Sequence, residues 1–153
     1  KEGFNSKHKS VAELIKLENS LGLNLPETLK GFERKINRLR DKFKSLIFKL
    51  NQEGKSIAAF GAPTKATTLC YHFDIGKDEI DFIVDDNPLK QGLFSPGKHI
   101  PVYSSQKIYE EKPDFLLILA WNFAESIMRA HQRFSDEGGL FILPMPEPLI
   151  LKP

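Results

Sequence analysis

Several short runs of this sequence are apolar at every position instead of at every second one, and nothing else in the chain constrains the fold so strongly. Phe115 to Ala120 and Leu140 to Leu143 contain no polar side chain, and Ser56-Ile-Ala-Ala-Phe60 is polar only at its first residue. A strand with one face in water alternates apolar and polar residues; a strand apolar throughout is covered on both faces, the usual condition of a parallel sheet. The stretches between these runs supply the cover. Lys65 to Phe73, Ser105 to Glu111 and Asn122 to Phe134 read as helices, and Gly138-Gly139 ends the last of them. Ile80 to Val84 and Ile100 to Val102 add two further strands. The expectation is an α/β domain with a Rossmann-like parallel sheet of about five strands and right-handed crossovers.

The first third of the chain has a different period. Ser10 with Glu13 has the form of a capping box, and Val11, Leu14, Ile15 and Leu21 follow at helical spacing until Gly22 stops the run. A second helix is expected from Pro26, with Asn24 as its cap, to about Gln52. Its apolar stripe is Phe32, Ile36, Leu39, Phe43, Leu46 or Ile47, and Leu50. At roughly 39 Å such a helix is too long for a small domain to cover, so packing on a partner domain or self-association through residues 26–52 is expected. The domain organisation read here is a helical extension over residues 1–53 and the sheet domain over 54–153. Lys30 to Lys49 carries eight basic and two acidic residues. No aromatic residue is interleaved on that basic face, so a solvated surface is preferred over a nucleic-acid contact.

Composition narrows the class. The net charge of +2 points neither to nucleic acid nor to a membrane surface, and the longest apolar run, Phe115 to Trp121, is far too short to span a bilayer. The single cysteine, Cys70, permits no internal disulfide and fits a reducing, cytoplasmic location. The chain opens Lys1-Glu2-Gly3 with neither an initiating Met nor an apolar leader; it reads as a fragment of a longer protein or as a processed chain.

In an open parallel sheet, ligands sit beyond the carboxyl ends of the strands. Three segments meet there: Gly61 to Thr68, Asp85 to Gln91, and Trp121-Asn122. The first joins a strand to a helix whose opening amides attract an anion, and Lys65 stands where the helix dipole disfavours a cation unless an anion joins it. The alternatives are a solvent-facing Lys65 and a helix capped by Thr64 or Thr67. Only Gly61 is present of the glycines a dinucleotide or Walker turn needs. Asp85 ends a strand where a ribose-binding acid is often placed, although Asp86-Asn87-Pro88 is also an ordinary turn. Trp121 can wall a sugar or base, or only pack the sheet edge; Asn122 can serve as a helix cap. His8, His72, His99 and His131 are scattered, without metal-ligand spacing around Cys70, and no nucleophile elbow or other catalytic set is present.

These segments carry a family resemblance. Phe60-Gly-Ala-Pro-Thr-Lys-Ala-Thr-Thr-Leu69, Ile80-Asp-Phe-Ile-Val-Asp-Asp-Asn-Pro-Leu-Lys-Gln-Gly92, Pro96-Gly-Lys-His-Ile-Pro101 and Pro113-Asp-Phe-Leu-Leu-Ile-Leu-Ala-Trp-Asn122 resemble the C-terminal domain of S-adenosylmethionine-dependent nucleotide-sugar C-methyltransferases, over about Ala12 to Pro146. The resemblance implies a parent enzyme that methylates a carbon of a TDP-deoxysugar or similar nucleotide sugar. Its zinc-binding and S-adenosylmethionine-binding domains and its catalytic residues would lie upstream. This chain would then hold the nucleotide sugar, bind no cofactor itself and be inactive alone. By resemblance, Gly61, Ala62, Lys65 and Thr68 match the phosphate-side turn, to which Thr64 belongs. Asp85, Asn87 and Lys90 match the second loop, and Trp121 with Asn122 the third. Phe60 where Tyr is common, Pro63-Thr64 in the turn, and Ala66-Thr67 for a usual Gly-Asn pair are departures that bear on which sugar is taken. Two readings from other classes stand beside this one: an NAD- or CoA-binding domain of an oxidoreductase or ligase, motivated by Asp85, and a non-catalytic module that binds a partner through the basic helix.

Overall fold

A computed structural model describes residues 8–152; the opening Lys1-Glu2-Gly3 lies outside them. The chain divides into two compact units, residues 1–38 and 39–153.

The described part of the first unit holds helix α1 (Lys9–Ser20) and the start of helix α2 (Pro26–Gln52). The cap of α1 lies two residues earlier than the Ser10 box predicts. His8 is the cap residue, and its ring accepts the Ser10 amide at 3.3 Å. The predicted stop is present: Gly22 takes a φ of +63° and ends the turn after α1. Val11, Leu14, Ile15, Leu21 and Phe32, read as apolar positions at helical spacing, are all at least 42% exposed.

The second unit is built on one mixed sheet of six strands, one more than expected, in the order β3-β2-β1-β4-β5-β6. These are β1 (Ile57–Phe60), β2 (Ile83–Val84), β3 (Val102–Tyr103), β4 (Phe115–Ile118), β5 (Leu140–Leu143) and β6 (Leu149–Leu151). The first five run parallel, as expected of apolar runs, and β6 pairs antiparallel with β5, Ile142 opposite Ile150. β6 escaped the sequence reading because an edge strand of three residues has no partner on its far side to demand a pattern. β2 is shorter than Ile80 to Val84, yet the pairing continues past it: the Asp81 amide reaches the Ile57 carbonyl at 2.9 Å.

Between the strands lie α3 (Thr64–Phe73), α4 (Lys107–Glu111), a 3-10 turn (Trp121–Phe123), α5 (Ala124–Ala130) and α6 (Gln132–Asp136). The helix expected over 122–134 is therefore broken. His131 leaves the helical region at φ −111°, ψ 30°, and turns its ring into the protein.

The pleat sorts the core. Ile57, Ala59, Phe115, Leu117 and Ile142 face one layer, with Phe43, Ile47 and Leu50 of α2 and Leu69, Cys70 and Phe73 of α3. Ala58, Phe60, Leu116, Ile118 and Phe141 face the other, with Ile108, Ile127 and Phe134. Side chains in a strand alternate faces, so each fully apolar run feeds two cores at once. The fold is Rossmann-like, with helices on both faces of a mostly parallel sheet.

Candidate functional site

Strand β1 is flanked by β2 on one side and β4 on the other, and the chain reverses its direction of growth there. The crevice at such a switch point is where open α/β sheets take ligands. The two strands come so close beyond their ends that only glycine fits after β1. Gly61 has a φ of +92°, and a Cβ on it would lie 2.8 Å from the Cβ of Ala120. Its amide bonds to the Val84 carbonyl at 2.7 Å, tying the turn to β2.

Helix α3 opens directly from this turn. Its cap residue is Pro63, and no side chain caps it; neither Thr64 nor Thr67 does so. Thr64 and Thr68 are exposed on it. The opening amides therefore carry the partial positive charge of an uncapped helix start. Lys65 does not turn away to solvent. Its Nζ donates to Asn122 Oδ1 at 2.8 Å and lies 4.2 Å from the centre of the Trp121 ring, with Phe123 at 5.9 Å. All three partners are neutral, and among the described residues no carboxylate pairs with Lys65. Trp121 and Asn122 belong to the 3-10 turn after β4, so Asn122 serves as acceptor to a cation rather than as a simple helix cap.

The loop after β2 meets the same turn through Asp85. Its Oδ2 accepts the Ala62 amide at 2.7 Å and Lys90 Nζ at 2.9 Å; its Oδ1 accepts the Asn87 amide at 2.9 Å. Burial pulls the Asp85 carboxyl upward, but the Ala62 amide, the Lys90 ammonium and the Asn87 amide together outweigh it and hold its pKa below the usual carboxylate range. Asn87 Oδ1 accepts the Leu89 amide at 3.0 Å, and Gln91 Nε2 donates to the Asp85 carbonyl at 2.9 Å.

Of the predicted residues, the structure brings Ala62, Asp85, Asn87 and Lys90 around one carboxylate, next to Gly61, and Lys65, Trp121 and Asn122 around one ammonium, while the exposed Thr64 and Thr68 join neither group. Sequence reasoning missed Phe123, the second ring near Lys65, and Ser105, which donates to Asp86 beyond the same strand ends. Phe123 carried a signal, since it continues Trp121-Asn122; Ser105 is distant in sequence and carried none. An open groove of about 590 Å³ runs from Trp121 and Phe123 along Met128, Arg129, Leu143 and Met145. Among the described residues no three His, Cys, Asp or Glu side chains gather as metal ligands would, and no helix is long and apolar enough to cross a membrane.

A mostly parallel six-strand sheet with helices on both faces and Lys65 at its switch point defines a Rossmann-like α/β domain, and comparison with known proteins makes the class specific. Residues 1–146 match the C-methyltransferase C-terminal domain family, and the chain belongs to it. It is 37% identical over 142 residues to the C-methyltransferase NovU of Streptomyces niveus. That alignment takes in 93% of this chain and 34% of the relative, so the chain spans about a third of the length of the curated protein it matches.

Proposed function

We propose that this chain is the domain of a C-methyltransferase that holds and orients a nucleotide sugar, a TDP-deoxysugar or a close analogue, for methylation by upstream domains of the same protein. One observation carries the reading: the Lys65 ammonium sits at the switch point, beside the uncapped start of α3, with only neutral partners. A cation so placed is unfavourable beside the positive end of a helix dipole, and a diphosphate relieves both charges together. Trp121 and Phe123 add flat apolar surface for a sugar or base next to that anion site.

S-adenosylmethionine supplies the methyl group in such an enzyme, and this turn does not fit it. The single glycine, Gly61, is needed for the approach to Ala120, so the turn has no glycine cradle to receive a cofactor. The cofactor and the catalytic groups are placed upstream, and the chain alone is expected to bind without turnover. Its contribution to rate would be orientation of the acceptor. The single cysteine, Cys70, is buried, which suits a cytoplasmic parent.

The test is Lys65→Ala in the full chain, with binding of a TDP-sugar followed by calorimetry. Loss of a hydrogen-bonding charge to phosphate should cost about 1.5–3 kcal/mol, a drop of roughly ten- to a hundredfold in affinity. Unchanged affinity removes the phosphate role. A thermal-shift panel of TDP, NAD and CoA separates this reading from a dinucleotide or acyl-CoA site, which would respond to NAD or CoA alone.

A further inference from the structure

Asp85 directly follows β2, at the place where a dinucleotide-binding fold uses an acid to hold ribose hydroxyls. Here the carboxylate already accepts three donors from the protein. Oδ2 accepts from the Ala62 amide and from Lys90 Nζ, and Oδ1 from the Asn87 amide, at 2.7, 2.9 and 2.9 Å. The residue is 8% exposed. Even its main-chain carbonyl is engaged, by the side chain of Gln91. The donors come from two separate segments, the turn after β1 and the loop after β2, so one carboxylate joins them. Hydrogen bonds to an ionised acceptor are the strong ones. Without that acceptor the Ala62 and Asn87 amides would have to find water or go unsatisfied. Lys90, whose loop neighbours Pro88 and Leu89 are exposed, is held against the Ala62 end of the turn by the same oxygen.

We propose that Asp85 is a positioning residue: its carboxylate ties the Gly61-Ala62 turn to the Asp85–Gln91 loop, and no ribose hydroxyl of the ligand is held there. The consequence for specificity rests on the nucleotide reading above. With its acid committed to the protein, this edge does not tell ribose from 2′-deoxyribose, and diphosphates of either pentose bind alike.

The experiment follows amide hydrogen exchange by NMR in the full chain, alongside calorimetry with UDP and TDP. In Asp85→Ala, which removes both acceptor oxygens, the Ala62 and Asn87 amides should exchange at least about tenfold faster, while those of β5 stay protected. Lys90→Met, which spares both amide bonds, should change Ala62 exchange by less than about threefold. In the wild type, the Ala62 amide resonance should titrate with a midpoint below the usual carboxylate range. UDP and TDP should bind within about threefold of each other, and Asp85→Asn should weaken both by one factor. Unchanged exchange at Ala62 in Asp85→Ala, or an Ala62 resonance indifferent to acid, overturns the positioning role. So does a preference of about tenfold for UDP that Asp85→Asn abolishes. Should neither nucleotide bind, the nucleotide reading falls, and the exchange data still decide the role of Asp85.

Discussion

His131 shows how one residue can break an element and set a pH dependence. It is buried, its Nδ1 lies 2.9 Å from the Tyr109 hydroxyl, and its ring tilts against Phe60 at 5.0 Å. Burial holds its pKa below the ordinary 6.5, against a weaker opposing pull from Asp86. The fold therefore favours the neutral ring. Its contribution is complete above pH 6.5 and declines as pH falls from there toward the lowered folded pKa. Urea midpoints of the wild type should fall on mild acidification relative to His131→Gln, which cannot take the proton; parallel curves would refute this. Cys70 makes a simpler case. It is 3% exposed, and burial pushes its thiol up to about 11. One thiol equivalent should react with an aromatic disulfide reagent only after unfolding, and rapid reaction of the native chain would contradict the packing. Neither effect was legible in the sequence, where His131 and Cys70 are merely a histidine and a cysteine within apolar helical patterns.

At the scale of elements, the turn after β1 and the inner half of α2 carry the most weight. Alanine at Gly61 would meet the Ala120 Cβ at 2.8 Å while holding a φ of +92°. The strain alone should cost about 1–3 kcal/mol. A melting temperature within a degree of wild type would show that the strands separate more easily than this geometry implies. In α2, Phe43 is fully buried and stacks on Phe73 of α3 with ring centres 4.4 Å apart. Phe43→Ala should cost about 3–5 kcal/mol, measurable as a lower denaturant midpoint. The apolar stripe of α2 was legible as a period, and Phe43, Ile47 and Leu50 are its buried members. The period could not say where burial begins. Phe32, on the same stripe, is 62% exposed, because the stripe records which residues can be covered and not what covers them.

For the whole molecule, the expected boundary between a helical extension and a sheet domain at residue 53/54 can be tested against the core itself. Phe43, Ile47 and Leu50 pack with Ile57, Leu69 and Ile142 in one apolar layer. A piece from Leu39 onward should unfold in a single cooperative transition, whereas a piece from Gly54 onward should bind a hydrophobic dye and lose its sharp transition. Equal cooperativity of the two pieces would mean that α2 contributes nothing to the sheet domain. The sequence alone determined the α/β class, the parallel strands and the strand ends that hold Gly61, Asp85 and Trp121. These follow from local periodicity and from turn residues, which act over a few positions of chain. Only the tertiary structure decided that Asp85 spends its carboxylate on Ala62, Asn87 and Lys90, that Lys65 finds Asn122 and the Trp121 ring, and that β6 closes the edge. All but the Asn87 and Lys90 contacts and the pairing of β6 with its sequence neighbour β5 join residues far apart in sequence, and such pairings depend on how the crossovers bring strand ends together, which no local pattern encodes.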